Sequence, residues 1–286
     1  MKKPYLTPEN INAFIQSAFK EDIGGGDHST LASIPLHKEG QAKLLIKEDG
    51  IIAGLELAKM IFHHYDPSLK VELLLTDGQE VKSGDVGLTV EGKAASILTT
   101  ERLLLNCMQR MSGIATKTHH YSQLISHTKA KLLDTRKTTP NFRMLEKWAV
   151  ALGGGENHRF ALYDMIMLKD NHVDFAGGIK KAIQATHQYL KKHNLDLKIE
   201  VETRNLNEVK EVLEVGGVDF IMLDNMDYDM MRAAVDLVGD KYKTEASGGI
   251  NEETLKDVAE CGVNFISVGA LTHHVKSMDI SLKAIN

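Results

Sequence analysis

The sequence predicts an α/β protein whose larger part is a β/α barrel with fewer than eight strands, preceded by a smaller α+β domain. After residue 128, a short apolar strand is followed by a helix again and again, the pattern of parallel strands joined by crossover helices. Before that point, strand-like stretches lie around one short helical stretch. Six strand–helix units suit a β/α barrel, and an open doubly wound sheet is the structural alternative.

The first third of the chain has mixed elements. Apolar residues at helical spacing mark a helix at 9–20, which a Gly-rich turn at 21–30 follows. The long helix that closes this part has Thr99 or Thr100 as its expected N-cap. The other predicted elements are strands at 41–54, 70–81 and 87–92 and helices at 55–65 and 96–111.

The remainder reads as repeated units of one strand and one helix. Several of the helices end in Gly, as helix C-termini prefer. GGG at 153–155 is read in the same way, as the C-cap and loop after a further apolar helix. The predicted strands are 131–135, 165–169, 198–202, 219–224, 243–247 and 264–269, and the helices between them include 178–190, 206–215, 229–238 and 252–261.

Composition and charge exclude several classes of protein. The 286 residues hold 34 basic and 39 acidic side chains, and the net charge of -5 argues against a nucleic-acid partner. The two cysteines, Cys107 and Cys261, build neither a disulfide scaffold nor a CxxC metal site. No apolar run reaches the length of a membrane span, and no apolar segment follows the basic first residues. We therefore expect a cytoplasmic protein with no membrane partner.

Polar residues recur in register at the carboxyl ends of the predicted strands. Glu202, Asp224, Ser247 and Gly269 stand 22 or 23 residues apart, each at such an end. Because β/α barrels place their chemistry at the carboxyl ends of the strands, we expect these residues to line one site. The polar nature of loops in general is the competing explanation.

Several cations belong to the same predicted site. Arg136, Lys137, Arg159 and Lys169 follow strand ends, with His158 close by in sequence. Like charges packed together need an anion to offset their repulsion, and Arg suits carboxylate or phosphate. Ion pairing with nearby acidic residues is the alternative for each of them.

Two glycine-bearing stretches and two carboxylates complete the set. Ser247, Gly248 and Gly249, followed one unit later by Val268, Gly269 and Ala270, suit phosphate binding through backbone N–H groups. The carboxylates Glu202 and Asp224 suit ribose hydroxyls, Mg²⁺ or general-base chemistry, with pairing to Lys169 or Arg136 as the alternative. The 13 histidines include adjacent pairs but no HExxH, so a zinc site is not expected.

Several segments together resemble quinolinate phosphoribosyltransferase, over nearly the whole chain and in order. The combination of DTRKTTP, GGGxNHR and KDNH within 132–172 is highly specific. Asn141 and Phe142 depart from the Gly-Leu that the family commonly has there, and Asn tolerates the left-handed backbone of such a turn. The other matching segments are 21–30, 100–116, 200–202, 223–225, 245–250 and 266–282.

The resemblance implies a fold and a reaction. The fold is an N-terminal α/β sandwich domain, expected at 1–112, and an incomplete barrel of six or seven strands at 113–272, with the tail 273–286 packing on the first domain. The reaction converts quinolinate and phosphoribosyl pyrophosphate to nicotinate mononucleotide, pyrophosphate and CO₂, in de novo NAD biosynthesis. It uses Mg²⁺ and no organic cofactor. The family forms homodimers in which one subunit's N-terminal domain covers the partner's barrel, or hexamers of such dimers.

The resemblance also implies residue roles. Arg102 is expected to reach into the partner subunit's site and clamp a quinolinate carboxylate. The catalytic set is Lys137, Glu202 and Asp224, of which the two carboxylates also hold Mg²⁺, directly or through water or substrate. Quinolinate contacts are expected from Arg102, Thr135, Arg136, Lys137, His158, Arg159 and Lys169. Phosphoribosyl pyrophosphate contacts are expected from Lys169, Glu202, Asp224, Ser247, Gly248, Gly249, Val268, Gly269 and Ala270.

Other readings stay open at the level of sequence. They are a paralogue of this fold associated with molybdenum transport, a phosphoribosyltransferase that takes nicotinate without decarboxylation, and a barrel that binds a phosphorylated metabolite without turnover. The complete basic set, Arg102 included, favours quinolinate.

Overall fold

The structure is a computed structural model that describes residues 3–285. No helix in this part of the chain is long and apolar enough to cross a membrane. Its helices are α1 (Pro8–Asp22), α2 (His28–Ser33), α3 (Leu55–Tyr65), α4 (Ala94–Leu124), α5 (Arg143–Leu152), α6 (Asp170–Ala176), α7 (Ile179–His193), α8 (Leu206–Val215), α9 (Tyr228–Val238), α10 (Glu252–Glu260) and α11 (Ala270–His273). Its strands are β1 (Glu39–Ile46), β2 (Gly50–Ile51), β3 (Lys70–Leu73), β4 (Glu80–Val81), β5 (Val86–Lys93), β6 (Lys131–Leu133), β7 (Ile166–Leu168), β8 (Ile199–Thr203), β9 (Phe220–Asp224), β10 (Lys243–Ser247), β11 (Phe265–Ser267) and β12 (Ile280–Ile285).

The chain divides into two compact units. The first comprises the chain up to His119, Thr138–Gly154, and the chain from Leu271 onward, and the second comprises His120–Lys137 and Gly155–Ala270. The expected boundary near residue 112 falls inside α4, a continuous helix of 31 residues, so no linker separates the units there. The division also differs from the expected one because 138–154, which includes α5, belongs to the first unit.

The first unit is built on an antiparallel sheet with the strand order β12-β1-β5-β3. The last strand of the chain pairs with the first, from Gln41 opposite Ile285 to Ile46 opposite Ile280. Alternate residues of β1 are buried, and Leu44 and Ile46 are fully so, because successive side chains of a strand point to opposite faces. Leu55 and Phe62 of α3 add fully buried side chains to the core of this unit.

Helix α4 begins earlier than its sequence predicts, and neither expected N-cap is correct. Thr99 and Thr100 lie inside the helix, which starts at Ala94. The Thr99 hydroxyl donates to Asp27 Oδ2 at 3.0 Å, and the Thr100 hydroxyl donates back to the Ser96 carbonyl at 2.8 Å. Lys93, the residue before α4, is not a type that favours the N-cap, so the sequence does not mark the observed start of the helix.

The second unit contains a parallel sheet of six strands with the order β6-β11-β10-β9-β8-β7. Consecutive strands from β7 to β11 are neighbours, and the first strand of the sheet lies beside the last. A doubly wound sheet would reverse its order at its first strand, whereas this progression in one direction is that of a barrel wall. The predicted incomplete barrel is confirmed. Between β6 and β7 a single parallel bridge, Leu133 to Glu156, stands in the place of a seventh strand.

Local sequence signals fix the helices of this unit. Side chains of Asn205, Asp227 and Asn251 accept backbone N–H groups at the starts of α8, α9 and α10. Gly216 and Gly239 follow α8 and α9 with positive φ, a conformation that suits Gly. The strand and helix positions predicted for this unit are therefore confirmed to within a few residues.

The C-terminal segment packs closely along α4 within the first unit. Arg110 donates to the carbonyls of Thr272 and Val275, and the Met278 amide donates to the Gln109 carbonyl at 3.0 Å. A Cβ atom added to Gly113 would lie 2.3 Å from the Lys276 carbonyl oxygen. Gly113 thus permits a backbone contact that no larger residue allows.

We expect Gly113→Ala to destabilise the protein. In a helix interior this change normally stabilises by about 1 kcal/mol. Here the steric conflict with Lys276 should reverse the sign and cost roughly 1–3 kcal/mol, seen as a Tm lowered by several degrees. Gly25→Ala is the control, because Gly25 has no atom within 4 Å of the added carbon. An unchanged or raised Tm for Gly113→Ala would contradict the close packing.

Candidate active site

The polar strand ends share one face of the parallel sheet. Asp224 stands opposite Ser247, and Glu202 stands opposite Met222, two residues before Asp224. Because alternate residues of a strand point to the same side, these side chains face one way. The residues at the carboxyl ends of these strands, or within two residues after them, are Thr135, Lys169, Glu202, Asp224, Ser247 and Gly269, which we call the upper layer.

Lys169 and Glu202 form an ion pair in the upper layer. Lys169 Nζ lies 3.0 Å from Glu202 Oε2, with the lysine half-exposed and the glutamate side chain 8% exposed. The sequence left pairing with Lys169 open as an alternative for this carboxylate, and the structure shows that pairing. The ion pair offsets part of the cost of burying this carboxylate and holds it in place.

Asp224 and Asn225 lie where β9 meets β10. The Asn225 amide group donates to Asp224 Oδ2 at 2.7 Å, and the Asn225 backbone N–H donates to the Ser247 carbonyl at 2.9 Å. Asn225 has a φ of 53°, a left-handed conformation that Asn tolerates. Gly248 leaves room for this side chain, because a Cβ there would lie 2.2 Å from Asn225 Oδ1.

The two predicted phosphate loops differ in what they expose. Gly249 has a φ of 61° and open space around its α-carbon. Val268, in contrast, is buried, and its N–H donates to the Leu133 carbonyl at 3.0 Å. The Val268 N–H is thus already used within the barrel, and the expected contact of this residue with phosphoribosyl pyrophosphate stays a prediction.

Below the upper layer, three titratable side chains form a buried cluster. His158 Nε2 lies 2.8 Å from Glu200 Oε2 and 3.4 Å from Glu245 Oε2. Glu200 and Glu245 stand two residues before Glu202 and Ser247 and are 0% and 1% exposed. We call these three residues the lower cluster. Burial and the neighbouring charge of Glu245 raise the pKa of Glu200.

The lower cluster has the spacing of a hydrogen-bonded group. Its three ligand atoms lie within 4.8 Å of one another, close enough for a metal to be considered. Two ligands of one tetrahedral zinc ion stand about 3.3 Å apart, from bond lengths near 2.0–2.1 Å. The 2.8 Å between His158 and Glu200 is shorter and is a hydrogen-bond distance.

The other ring nitrogen of His158 faces the main chain. The Arg159 N–H donates to His158 Nδ1 at 2.7 Å. Burial lowers the pKa of His158, but hydrogen bonds to Glu200 and Glu245 outweigh it and raise that pKa to about 10, which favours a second ring proton. Such a proton on Nδ1 would point at the Arg159 N–H. The hydrogen bond from the Arg159 N–H therefore assigns the tautomer in this structure. Nδ1 is the acceptor, and Nε2 carries the proton, which points toward the carboxylates.

Asp134 holds the turn that carries His158 and Arg159. Its carboxylate is fully buried and accepts the Asn157 amide group at 2.6 Å and the His158 backbone N–H at 2.9 Å. Asp164 closes the following turn by accepting the N–H groups of Phe160 and Ala161. The backbone around Arg159 is thus fixed from both sides.

Two guanidinium groups lie near each other beside the lower cluster. Burial, followed by the charge of Arg136, lowers the pKa of Arg159, while the charge of Glu200 acts in the opposite direction. Arg159 also donates to the Met165 carbonyl at 3.2 Å. Adjacent cations of this kind attract a multivalent anion.

The remaining predicted site residues lie at the following positions in the structure. Thr135 accepts the Lys137 N–H on its hydroxyl at 3.0 Å, and Lys137 is exposed. Ala270 begins α11. Arg102 is exposed on α4, in the first unit, whereas the other predicted site residues belong to the second.

Three residues near the site are not predicted from the sequence. They are Glu200, Glu245 and Asn157, whose amide group donates to Asp134. The sequence holds a signal for the two glutamates. Glu200 stands two residues before Glu202, and Glu245 stands two residues before Ser247, so each shares a strand face with a predicted site residue. Asn141, a departure from the pattern of the family, has a φ of 61° and confirms that the turn keeps its left-handed residue. GGG at 153–155 begins with the C-cap of α5, as expected.

A parallel-stranded barrel with paired cations, acidic residues and Gly-bearing loops at its strand ends defines a phosphosugar-type enzyme site. Two family domains match this chain: the quinolinate phosphoribosyl transferase N-terminal domain at residues 27–112 and the C-terminal domain at residues 114–283. The chain belongs to the quinolinate phosphoribosyltransferase family, and the resemblance seen in its sequence is confirmed.

Individual relatives and a solved structure support the same family assignment. The chain is 48% identical to a chloroplastic nicotinate-nucleotide pyrophosphorylase [carboxylating] of Arabidopsis thaliana, over 99% of this chain and 85% of that protein. It is 47% identical to a quinolinate phosphoribosyltransferase [decarboxylating] 1b of Nicotiana tabacum, with the same coverage. The crystal structure of NadC from Streptococcus pyogenes matches with a TM-score of 0.91 at 38% identity, covering 98% of this chain and 99% of that one.

Proposed function

We propose that this protein converts quinolinate and phosphoribosyl pyrophosphate to nicotinate mononucleotide, pyrophosphate and CO₂. The observation that carries the proposal is the arrangement of the second unit, where two neighbouring guanidinium groups lie in the same barrel as the carboxylates Glu202 and Asp224 and the open backbone of Gly249. A dicarboxylate suits the first feature, and a phosphorylated sugar suits the other two. The relatives that share 46–48% identity carry names for this reaction.

The dicarboxylate is bound by the cations. Arg136 lies close enough for its charge to lower the pKa of Arg159, and two neighbouring cations favour a dianion such as quinolinate. Lys137 is exposed nearby in sequence and can approach a substrate carboxylate. Holding the pyridine ring by its carboxylates orients its nitrogen toward the anomeric carbon of the sugar.

The acidic pair acts on the sugar. Attack by the pyridine nitrogen gives the ribose ring positive character as the bond to pyrophosphate breaks. Glu202, held by Lys169, and Asp224, held by Asn225, supply carboxylates at fixed positions for this transition state. The product is a pyridinium, whose ring N⁺ stabilises the carbanion formed when CO₂ leaves. No organic cofactor is required, and Lys137 is the proposed proton donor to the carbanion.

Mg²⁺ fits the same two carboxylates. Its preferred ligands are carboxylate oxygens, and it is commonly held by one or two of them together with substrate phosphates and waters. Glu202 and Asp224 supply two such groups on adjacent strands that face one way. Glu202 and Asp224 would hold Mg²⁺, which would supply positive charge to offset that of the pyrophosphate.

The 5′-phosphate is assigned to the glycine loops. Gly249 has open space around its α-carbon, and Ser247 and Gly248 are half-buried at the end of β10. Gly269 and Ala270 follow the next strand. Backbone N–H groups in such loops bind phosphate oxygens.

We further propose a homodimer, or a hexamer of such dimers, in which Arg102 serves the partner's site. Arg102 is an exposed cation on α4, and Glu101 beside it is half-buried. A third guanidinium would match the second carboxylate of quinolinate. The cytoplasm is the proposed location, supported by two buried free thiols.

The deciding assay mixes the protein with quinolinate, phosphoribosyl pyrophosphate and Mg²⁺. We expect quinolinate to disappear and nicotinate mononucleotide and CO₂ to form in equal amounts. Turnover of nicotinate instead would identify a phosphoribosyltransferase without decarboxylation. Binding of the phosphorylated sugar without turnover would identify a binding protein or a paralogue with another role.

Arg136→Ala should separate the two substrates. Loss of a charged hydrogen bond to a carboxylate costs about 1.5–3 kcal/mol, so quinolinate binding should weaken roughly 10- to 100-fold in a calorimetric titration. Binding of phosphoribosyl pyrophosphate should stay within about threefold, because its contacts are assigned elsewhere. Arg232→Ala, which removes an arginine paired with Asp229 on α9, is the control. Equal losses for both substrates would refute the assignment of Arg136.

Mixed dimers should test the role of Arg102. Arg102→Ala and Asp224→Ala should each abolish most activity as separate proteins. When the two variants are dissociated and reassociated together, half of the dimers are hybrids with one intact site, and activity should return to about a quarter of the wild type. Reassociation of each variant with itself is the control and should restore nothing. No recovery in the mixture, with hybrid dimers demonstrated by mass, would show that Arg102 does not act across an interface.

A further inference from the structure

Lys169 lies just beyond the part of β7 that the sheet holds. The last pair of the β7 ladder joins Leu168 to Val201, and Lys169 follows as the residue before α6. Its ammonium group is paired with Glu202, and an anionic substrate competes for that ammonium group. Its backbone is held by α6, because the Lys169 N–H donates to His172 Nδ1 at 3.0 Å. The position of Lys169 therefore depends on the position of α6.

Helix α6 has little packing of its own to keep it in place. It is seven residues long, and within this helix, which the structure describes in full, only Val173 is buried. Phe175 is 91% exposed. Gly177 and Gly178 follow with φ values of 84° and 117°, so the chain leaves α6 through two residues of high conformational freedom. A helix this short is not stable by itself and relies on contacts with its surroundings.

An arginine at the end of the neighbouring strand supplies such a contact. Arg204, the residue after β8, donates from Nη1 to Asp174 Oδ2 at 3.2 Å and from Nη2 to Asp174 Oδ1 at 3.1 Å. Its Nε donates to Glu208 Oε1 at 2.8 Å, and its backbone N–H donates to Glu208 Oε2 at 2.7 Å. Most exposed ion pairs contribute little, but a two-pronged arginine shared by two carboxylates is an exception. We call Arg204, Asp174 and Glu208 the rim network.

The rim network joins the same two chain segments as the ion pair of the upper layer. Asp174 stands five residues after Lys169, and Arg204 stands two residues after Glu202. The inner link between these segments is the 3.0 Å contact of Lys169 with Glu202, and the outer link is the contact of Asp174 with Arg204. The outer link can keep the segments together when a substrate opens the inner one.

We propose that Arg204 and Asp174 are positioning residues for Lys169, acting through helix α6. The arginine holds α6 against the end of β8, and α6 holds the backbone of Lys169. The ammonium group then stays within reach of phosphoribosyl pyrophosphate after Glu202 has turned to the sugar. This inference rests on the proposed function and adds to it how Lys169 is retained at the site.

The test uses Arg204→Gln and Asp174→Asn, each of which removes one charge and keeps a polar side chain. The dissociation constant for phosphoribosyl pyrophosphate with Mg²⁺, measured by calorimetric titration, should rise about three- to fivefold in each, the range that a well-formed exposed ion pair supports. The two changes combined should weaken binding no more than one alone, because either change opens the same contact. Arg232→Gln is the matched control, because Arg232 forms an exposed pair with Asp229 at 3.0 Å, and it should leave this binding unchanged.

Two further measurements separate positioning from a general effect on stability. Lys169→Gln should itself weaken the binding of phosphoribosyl pyrophosphate, and adding Arg204→Gln should then weaken it by less than about 1.5-fold, because the positioned group is already gone. Amide hydrogen exchange should become faster in α6 in Arg204→Gln and in Asp174→Asn, and should stay the same in α10.

Three results would overturn the proposal. Unchanged exchange in α6 would show that the rim network does not hold this helix. Unchanged binding together with faster exchange would show that Lys169 keeps its place without α6. Losses that multiply in full when Arg204→Gln is combined with Lys169→Gln would show that the rim network affects binding by another route. A wild type that binds no phosphoribosyl pyrophosphate overturns the proposed function and the task of Lys169 together, and faster exchange in α6 of the variants identifies that case as a failure of the function and not of the rim network.

Discussion

The two-residue repeat of the parallel strands organises the chemistry of this protein. Glu200 and Glu202 must point the same way because they alternate with Val201, and the same holds for Glu245 and Ser247. Neighbouring strands keep a fixed register, so the side chains on this face hold set positions relative to one another. A slip of one residue would turn all of these side chains to the opposite face. The upper layer and the lower cluster are consequences of this single geometric rule.

The charges of the upper layer and of the lower cluster are balanced in different ways. In the upper layer Glu202 is balanced by Lys169, which is half-exposed and can respond to a substrate. In the lower cluster Glu200 and Glu245 are out of reach of solvent, and their balance comes from His158. Breaking a buried pair of this kind is far more costly than breaking an exposed one. The deeper charges are therefore the fixed ones, and the outer charges can rearrange during the reaction.

Much of the second unit could be predicted from sequence, for physical reasons. Helices between its strands carry their own caps, and the strands are short, apolar and evenly spaced, so local signals agree with the fold. The polar strand ends were found because loops expose them. Glu200 and Glu245 were missed because interior strand positions are expected to be apolar. The start of α4 and the membership of α5 depend on through-space packing, which a local pattern does not contain.

The residue His158 has ring contacts that its place in the sequence does not predict, while its expected contact with quinolinate stays a prediction. It follows Asn157 and precedes Arg159 among the basic residues of the motif, which suggests a shared duty toward an anion. Its ring contacts place it between two carboxylates and a backbone amide. The net charge of -5 is likewise a poor guide to the site. Acidic residues outnumber basic ones over the whole chain, whereas Arg136 and Arg159 lie near each other. The local placement of the arginines, and not the net charge of the chain, therefore governs which anions this part of the barrel attracts.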